Sequence, residues 1–318
     1  MPRVAAGDTQ HAVSVVISAY TELRWDDLVA AVRSVERQTL PALEVIVAVD
    51  RNPALLERVR AELPGAVAVA NAGHDGAGGA RNSGVAAARG AIVAFLDDDA
   101  VAAPGWIEEL VLPFADPQAL GAGGRITPRW VDGRPGWFPE EFDWVVGCTY
   151  RGMPETTAPV RNLIAANMAV RRDVFDALGG FRVDFGKVGR RSSPEETDLC
   201  IRALQRWPER SWIYHPAAEV HHTVPAERGR WRYFLERCWY EGLGKGELAG
   251  LVGQRSGLSS EWDYSLKVLP RGVRRGVAEG LRGRPDGVRR ALAIGAGFAI
   301  VVAGYARARV MARGSATA

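Results

Sequence analysis

The stretch from Gly78 to Asp99, GGARNSGVAAARGAIVAFLDDD, reads as a helix of small residues closed by Gly90, a buried strand, and three aspartates in a row. Residues 91–97, AIVAFLD, are continuously apolar up to their last position, the pattern of a strand covered on both faces. Three carboxylates side by side repel one another, and ionised carboxylates away from water are costly. A solvated loop or a bound cation would account for them.

The same pattern precedes this unit. VSVVISAY (13–20), LEVIVAVD (43–50) and AVAVANA (66–72) read as strands. Between them Trp25, Leu28, Val29, Val32 and Val35 follow helical spacing, and PALLERVRAEL (53–63) opens with Pro at a helix start. Strands that alternate with helices predict an α/β fold with a mostly parallel central sheet flanked by helices. In such sheets ligands collect at the carboxyl ends of the strands. Asp50 and Asp97–Asp98–Asp99 lie there, after the second and fourth strands. That set suits a hard divalent cation, Mg²⁺ or Mn²⁺, which keeps waters and bridges to substrate phosphates. On an extended backbone Asp97 and Asp99 point to one side and Asp98 to the other.

Farther along, WIEELVLPF after Pro104 reads as a helix, and residues 131–160, rich in Pro, Gly and Trp, as a long functional loop. NLIAANMAVRR (162–172) contains an apolar strand. DVFDALGGF is a short helix, GKVGRRSSP a mobile-looking stretch, EETDLCIRALQRW a helix and WIYHPAAEV a strand. Asn167 is polar within an apolar strand and needs a partner, which makes it a candidate on the acceptor side. His221 and His222 could complete a metal shell, contact a diphosphate, or simply end a strand. Arg171 and Arg172 read most simply as a solvated pair.

The chain has 318 residues, 47% of them hydrophobic and 24% charged, an ordinary globular composition. Its net charge of +3 is unevenly spread. Residues 226–318 carry 17 Lys/Arg against 8 Asp/Glu, whereas residues 1–225 carry 23 against 29. The expected organisation is therefore a tail over 1–11, a catalytic-type domain over 12–225, and a basic helical region over 226–318 with an uncharged segment at 291–306. Sixteen helical residues reach about 24 Å, short of a hydrocarbon core of about 30 Å. A peripheral or partly inserted helix on an anionic membrane surface is favoured over a soluble core helix, with the flanking arginines as the reason. No nucleic-acid partner is expected. The three cysteines are dispersed, with no CxxC, which fits a reducing compartment, and MPRVAAGDTQHA has no apolar core of a signal peptide.

Several chemistries lack their signatures. A P-loop GxxxxGK[ST] is absent, an aspartyl-nucleophile phosphatase would carry its acids after the first strand, and GAGGARNSG follows the third strand instead of the first. Nucleotidyl transfer would want a Gly-rich loop after the first strand. These absences favour a nucleoside-diphosphate ligand held through metal.

The ordered set VSVVISAY, VIVAVD, GGARNSGVAAARGAIVAFLDDD, NMAVRRDVFDALGGF and EETDLCIRA resembles the family 2 glycosyltransferases of GT-A fold, over about residues 13–222. The resemblance implies inverting transfer of a sugar from a nucleotide-sugar. It places Ser18, Ala19, Tyr20 and Asp50 at the nucleoside, Arg81 beside the nucleotide, and Asp97 and Asp98 on the nucleotide side. Asp97 and Asp99 fall to the ribose and the metal, with His222 a candidate third ligand outside the resemblance. The acidic pair before DLC supplies the base, with Glu196 in the base position and Glu195 as its alternative. The chain departs from the family pattern twice. Ser18 and Thr21 replace the usual Pro and Asn, and the acidic pair is Glu-Glu instead of Glu-Asp. Outside the resemblance, Glu195 and Glu196 could simply favour a helix N-terminus, with Ser193 as cap.

The donor implied is a nucleotide-diphosphate sugar, with UDP favoured by Asp50. The basic tail points to a lipid-linked or cell-envelope glycan acceptor at the cytoplasmic face of the membrane. A small hydrophobic metabolite is the alternative acceptor. A catalytically silent sugar-nucleotide-binding scaffold is the competing class, but such a relative should lose the paired aspartates or the acidic pair, and both are present.

Overall fold

The computed structural model describes residues 12–183, 195–253 and 263–315. The expected tail 1–11, the stretch GKVGRRSSP and the cap Ser193 lie outside the described residues.

Strand β1 (Val13–Ala19), helix α1 (Trp25–Glu36), β2 (Glu44–Val49), α2 (Pro53–Glu62), β3 (Ala66–Ala70), α3 (Ala77–Ala87) and β4 (Ile92–Asp97) follow in the expected alternation. Then come β5 (Ala100–Ala102), α4 (Trp106–Val111), β6 (Ala119–Gly123), β7 (Ile126–Trp130), β8 (Ala158–Val160), β9 (Asn167–Arg171), α5 (Arg172–Leu178), α6 (Glu195–Arg206), β10 (Ser211–Tyr214) and β11 (Val220–Val224). The chain closes with α7 (Trp231–Val252), α8 (Leu269–Leu281) and α9 (Pro285–Ser315). The main sheet has the order β3-β2-β1-β4-β9-β6-β10-β8. Strands β1 to β4 are parallel, β9 runs antiparallel to both β4 and β6, and β8 antiparallel to β10.

The residues form two compact units. Among those described, the first comprises 12–127, 154–183 and 195–222; the second comprises 128–153, 223–253 and 263–315. The boundary expected at 225 lies close to the last change of unit, at 222/223, and residues 128–153 group with the C-terminal helices.

In the first unit, β1 and β4 are buried almost throughout, as continuous apolar strands between covering layers should be. Phe95 sits against Phe175 and Phe181, with ring centroids 6.0 and 5.2 Å away. The small residues of α3 serve close packing: a Cβ at Gly84 would collide with the Val16 side chain on β1. The helix therefore lies tight on the sheet, and Arg81, one turn earlier, is carried to the carboxyl edge. WIYHPAAEV is two strands, β10 and β11, separated by a turn in which the Ala218 amide donates to the His215 carbonyl and Pro216 has no amide to donate. The helix expected at WIEELVLPF stops at Val111 and tightens into a 3₁₀ turn, Leu112–Ala115, around Pro113.

In the second unit the expected loop 131–160 contributes a 3₁₀ helix, Glu140–Val146, and an aromatic cluster. Phe234 of α7 has Trp137, Phe138 and Phe142 within 5.5 Å, centroid to centroid. This burial of Trp and Phe explains why the segment belongs to the helical unit. Helices α7 and α9 approach at glycines: a Cβ at Gly242 would collide with the Val301 carbonyl. The uncharged run 291–306 lies inside a helix of 31 residues, about 46 Å long. Within it, Pro285–Ala312 is long and apolar enough to cross a membrane by length and composition. Among the described residues only 28% of its apolar window is buried, and Leu292, Phe298, Val302 and Val310 are exposed.

Candidate active site

Register brings the carboxyl ends of the first unit's strands together. Ser18 lies opposite Asp97 across the β1–β4 pair, and the Asp50 amide donates to the Ala19 carbonyl at 2.8 Å. Ala19 is buried, while Tyr20 is half exposed just beyond the strand. Asp50 organises the loop after β3. One of its oxygens accepts from Asn71 Nδ2 at 2.7 Å, and the other from the Gly76 amide at 2.8 Å. A carboxylate has about four lone-pair sites, so both oxygens keep capacity for a further donor.

After β4 the chain turns at Asp98 and Asp99 before entering β5. Asp97 and Asp99 do converge, but through this turn and not through the alternation of an extended strand. Strand β11 runs antiparallel to β5 with His222 opposite Ala100, one residue past Asp99. His222 Nε2 is thereby 2.9 Å from Asp99 Oδ1. Donor atoms of Asp97, Asp99 and His222 all lie within 4.8 Å of one another. Two carboxylates and an imidazole make a donor set for a divalent cation.

Asp98, expected on the nucleotide side, faces Arg24. It is buried, and its Oδ1 accepts from Arg24 Nη1 at 2.9 Å. Its Oδ2 has no hydrogen-bond partner among the described residues. Burial pushes the Asp98 carboxyl up to about 7, the Asp99 charge adds to this, and Arg24 opposes it. Arg24 had no sequence signal. It is the residue before α1, and only the fold brings it to acids more than seventy positions on.

Arg81 is buried and donates to Asp97 Oδ1 at 2.8 Å and to Glu195 Oε1. One guanidinium thus ties the first residue of α6 to the end of β4. Glu195 is 3% exposed, and its Oε2 has no partner among the described residues. Burial pushes its carboxyl up to about 8, against the pull of Arg81. Glu196 is half-buried and follows directly in the first turn of α6. Two neighbouring glutamates therefore sit in different surroundings, one sealed against arginine and one partly open to solvent.

Asn167, expected on the acceptor side, lies within the protein. Its side chain is 1% exposed and accepts from Trp106 Nε1 at 2.7 Å. It donates to the carbonyls of Arg125 and Ala218 at 3.0 and 2.8 Å. The partner that a polar group in an apolar strand requires is the protein itself. Arg171 is likewise spent on backbone carbonyls of Phe114, Asp116 and Ala119, so the simple solvated pair with Arg172 does not hold.

Five carboxyl groups, Asp97, Asp98, Asp99, Glu195 and Glu196, thus share this edge with two guanidinium groups, Arg24 and Arg81. The excess of acid, two converging ligand carboxylates and a buried carboxylate oxygen without a partner are what a site for a cation requires.

The sequence matches the model of glycosyl transferase family 2 over residues 14–179. It is 35% identical over 249 residues to the glucosyl-dolichyl phosphate glucuronosyltransferase of Haloferax volcanii, covering 77% of this chain and 79% of that protein. It is 27% identical over 252 residues to the succinoglycan biosynthesis protein ExoM of Rhizobium meliloti, covering 76% and 77%. Among solved structures, the mannosyltransferase PcManGT of Pyrobaculum calidifontis, in complex with GDP-Man and Mn²⁺, superposes with a TM-score of 0.57 at 16% identity over 94% of this chain and 90% of that one. GalNAc-T7 with UDP, GalNAc and Mn²⁺ gives 0.52 at 18% identity over 73% and 48%. At these identities the two structures establish the GT-A-like fold. The chain is a glycosyltransferase, and it belongs to glycosyl transferase family 2.

Proposed function

We propose that this glycosyltransferase moves a sugar from a nucleotide-diphosphate donor, UDP-sugar in preference, to a lipid-linked acceptor with inversion at the anomeric carbon. The observation that carries the reading is the joint placement of Asp97, Asp99 and His222 beside a glutamate pair that Arg81 holds to Asp97.

Asp97, Asp99 and His222 would hold the cation, Mn²⁺ in preference to Mg²⁺, because an imidazole joins the two carboxylates. Bound there, it would offset the charge on the departing diphosphate. Glu196 takes the proton from the acceptor hydroxyl as its oxygen bonds to the anomeric carbon and the bond to the diphosphate breaks. Glu195 holds the start of α6 against Arg81 and so sets where Glu196 stands. Asp50, fixed by Asn71 and Gly76, presents its remaining lone pairs to the N3–H of a uracil.

The relative in Haloferax volcanii, named for a dolichyl phosphate substrate, supports a polyprenyl-phosphate-linked acceptor. The surplus of arginine in residues 226–318 and the exposed apolar stripe of α9 support attachment to an anionic membrane, on its cytoplasmic face. The test is product analysis with a panel of radiolabelled nucleotide-sugars, Mn²⁺ and polyprenyl-phosphate-linked acceptors. Transfer from a UDP-sugar, with the product anomer opposite to the donor's by NMR, supports the proposal. A product of retained configuration, or transfer only to water-soluble acceptors, overturns it.

A further inference from the structure

We propose that Arg24 and Asp98 are a positioning pair that fixes the Asp99 carboxylate for metal binding; this rests on the metal reading of Asp97, Asp99 and His222. Arg24 ends a short 3₁₀ turn, Glu22–Arg24, whose entry is capped by the Thr21 hydroxyl accepting from the Leu23 amide. Helix α1 starts immediately after it, anchored by the buried Trp25 and Leu28. The backbone of Arg24 is therefore set by the connection from β1 to α1, and its side chain is only 22% exposed.

From that fixed base a single nitrogen, Nη1, reaches Asp98 Oδ1 at 2.9 Å and Asp99 Oδ2 at 3.1 Å. The other oxygen of Asp99 is 2.9 Å from His222. Asp99 is thus gripped at both oxygens, by a cation on one side and by a fellow candidate ligand on the other. Its rotation about the terminal bond, otherwise broad, is restricted before any ion arrives. A guanidinium has no lone pair to give a metal, so Arg24 acts through Asp99 and not on the ion. Asp98 gives the guanidinium an anchor other than the ligand itself. Without that anchor Arg24 would lean on Asp99 alone and compete with the ion for it. This assigns work to each member of the triple aspartate: the outer two face the cation, and the middle one holds the arginine that orients its neighbour.

The pair differs from a plain structural ion pair in what it controls. Removing an outer-shell partner of a metal ligand typically costs about 10–100-fold in metal affinity. Manganese binding to the nucleotide-free protein, read by the EPR signal of free Mn²⁺, tests this without reference to turnover. Arg24→Gln and Asp98→Ala should each weaken Mn²⁺ binding about tenfold or more, with thermal unfolding reported alongside to show that each variant is folded. The double variant should be no weaker than the worse single one, because the two residues act as a unit. Arg24→Lys, which keeps a cationic donor, should recover part of the loss. Folded single variants that bind Mn²⁺ as tightly as the parent, or more tightly, overturn the positioning pair while leaving the metal site intact. Losses that simply add in the double variant overturn the claim that the two act together. Should the parent protein itself fail to bind Mn²⁺, the metal reading falls first, and the pair with it. If one single variant does not fold, the other still decides between these outcomes.

Discussion

Arg81 donates to Asp97 at 2.8 Å, and the same guanidinium also bonds Glu195, so the end of β4 and the start of α6 are held by one buried cation. Truncating Arg81 would remove both contacts at once, and removing one partner of a buried pair costs about 3–5 kcal/mol. This link sets the glutamate pair relative to the aspartates. Its two glutamates differ in burial, and from that difference their separate behaviour follows.

The first prediction concerns pH and stability. The Glu195 carboxyl is raised to about 8 in the folded protein from an ordinary value of 4.5. Between those values the folded state holds a proton that the unfolded state has lost. The Glu195 contribution to stability is therefore greatest at low pH, declines as pH rises through this window, and is gone above about 8. Glu195→Gln, neutral at every pH, should show a flatter fall in melting temperature from pH 5 to 9 than the parent. Parallel melting curves for the two proteins would contradict the assignment.

A second expectation separates the two glutamates in turnover. Loss of a general base costs about 10²–10⁴ in rate. Glu196→Gln should lose activity on that scale while its affinity for the donor nucleotide, measured by calorimetry, is kept. Near-normal turnover in this variant, together with an inactive Glu195→Gln, would exchange the roles.

Packing of α3 can be tested at Gly84, which faces the fully buried Val16. Alanine there gains up to about 1 kcal/mol of helix propensity. Overpacking a filled core costs about 1–3 kcal/mol. The clash should win, since β1 is held on both sides by β2 and β4. Denaturant unfolding of Gly84→Ala should show a net loss of up to about 2 kcal/mol; a stabilised variant would mean that the helix stands off the sheet.

How far the sequence reveals this protein depends on the range of the interactions involved. The strands β1 to β4 were legible because each is a continuous apolar run, and the aspartates because they end one. His222 could only be left open, since its place beside Asp99 comes from the pairing of β11 with β5, far apart in the chain. Arg24 gave no sign, for the same reason. The polarity of Asn167 signals a demand for a partner, but that the partners are Trp106 and two carbonyls follows from the folded sheet. Helix α9 extends past the uncharged run at both ends, because arginines are good helix formers and Pro285 suits a first turn.

The exposed face of α9 yields a fourth prediction. Full-length protein should float with anionic vesicles at low salt and float less, but still measurably, at high salt, because apolar burial is not screened. Phe298→Glu with Val302→Glu, both at exposed positions, should reduce flotation at every salt concentration without lowering the melting temperature. Unchanged flotation of the double variant would remove α9 from the membrane contact.

The proposed metal-dependent nucleotide site is tested most directly by calorimetric titration of a nucleoside diphosphate, with UDP as the probe, into the protein with Mn²⁺ and again with excess chelator. Binding should be clear with Mn²⁺ and at least about tenfold weaker without it, and Asp99→Ala should bind weakly in both conditions while remaining folded. Equal affinity for UDP in Mn²⁺ and in chelator would contradict the role given to Asp97, Asp99 and His222.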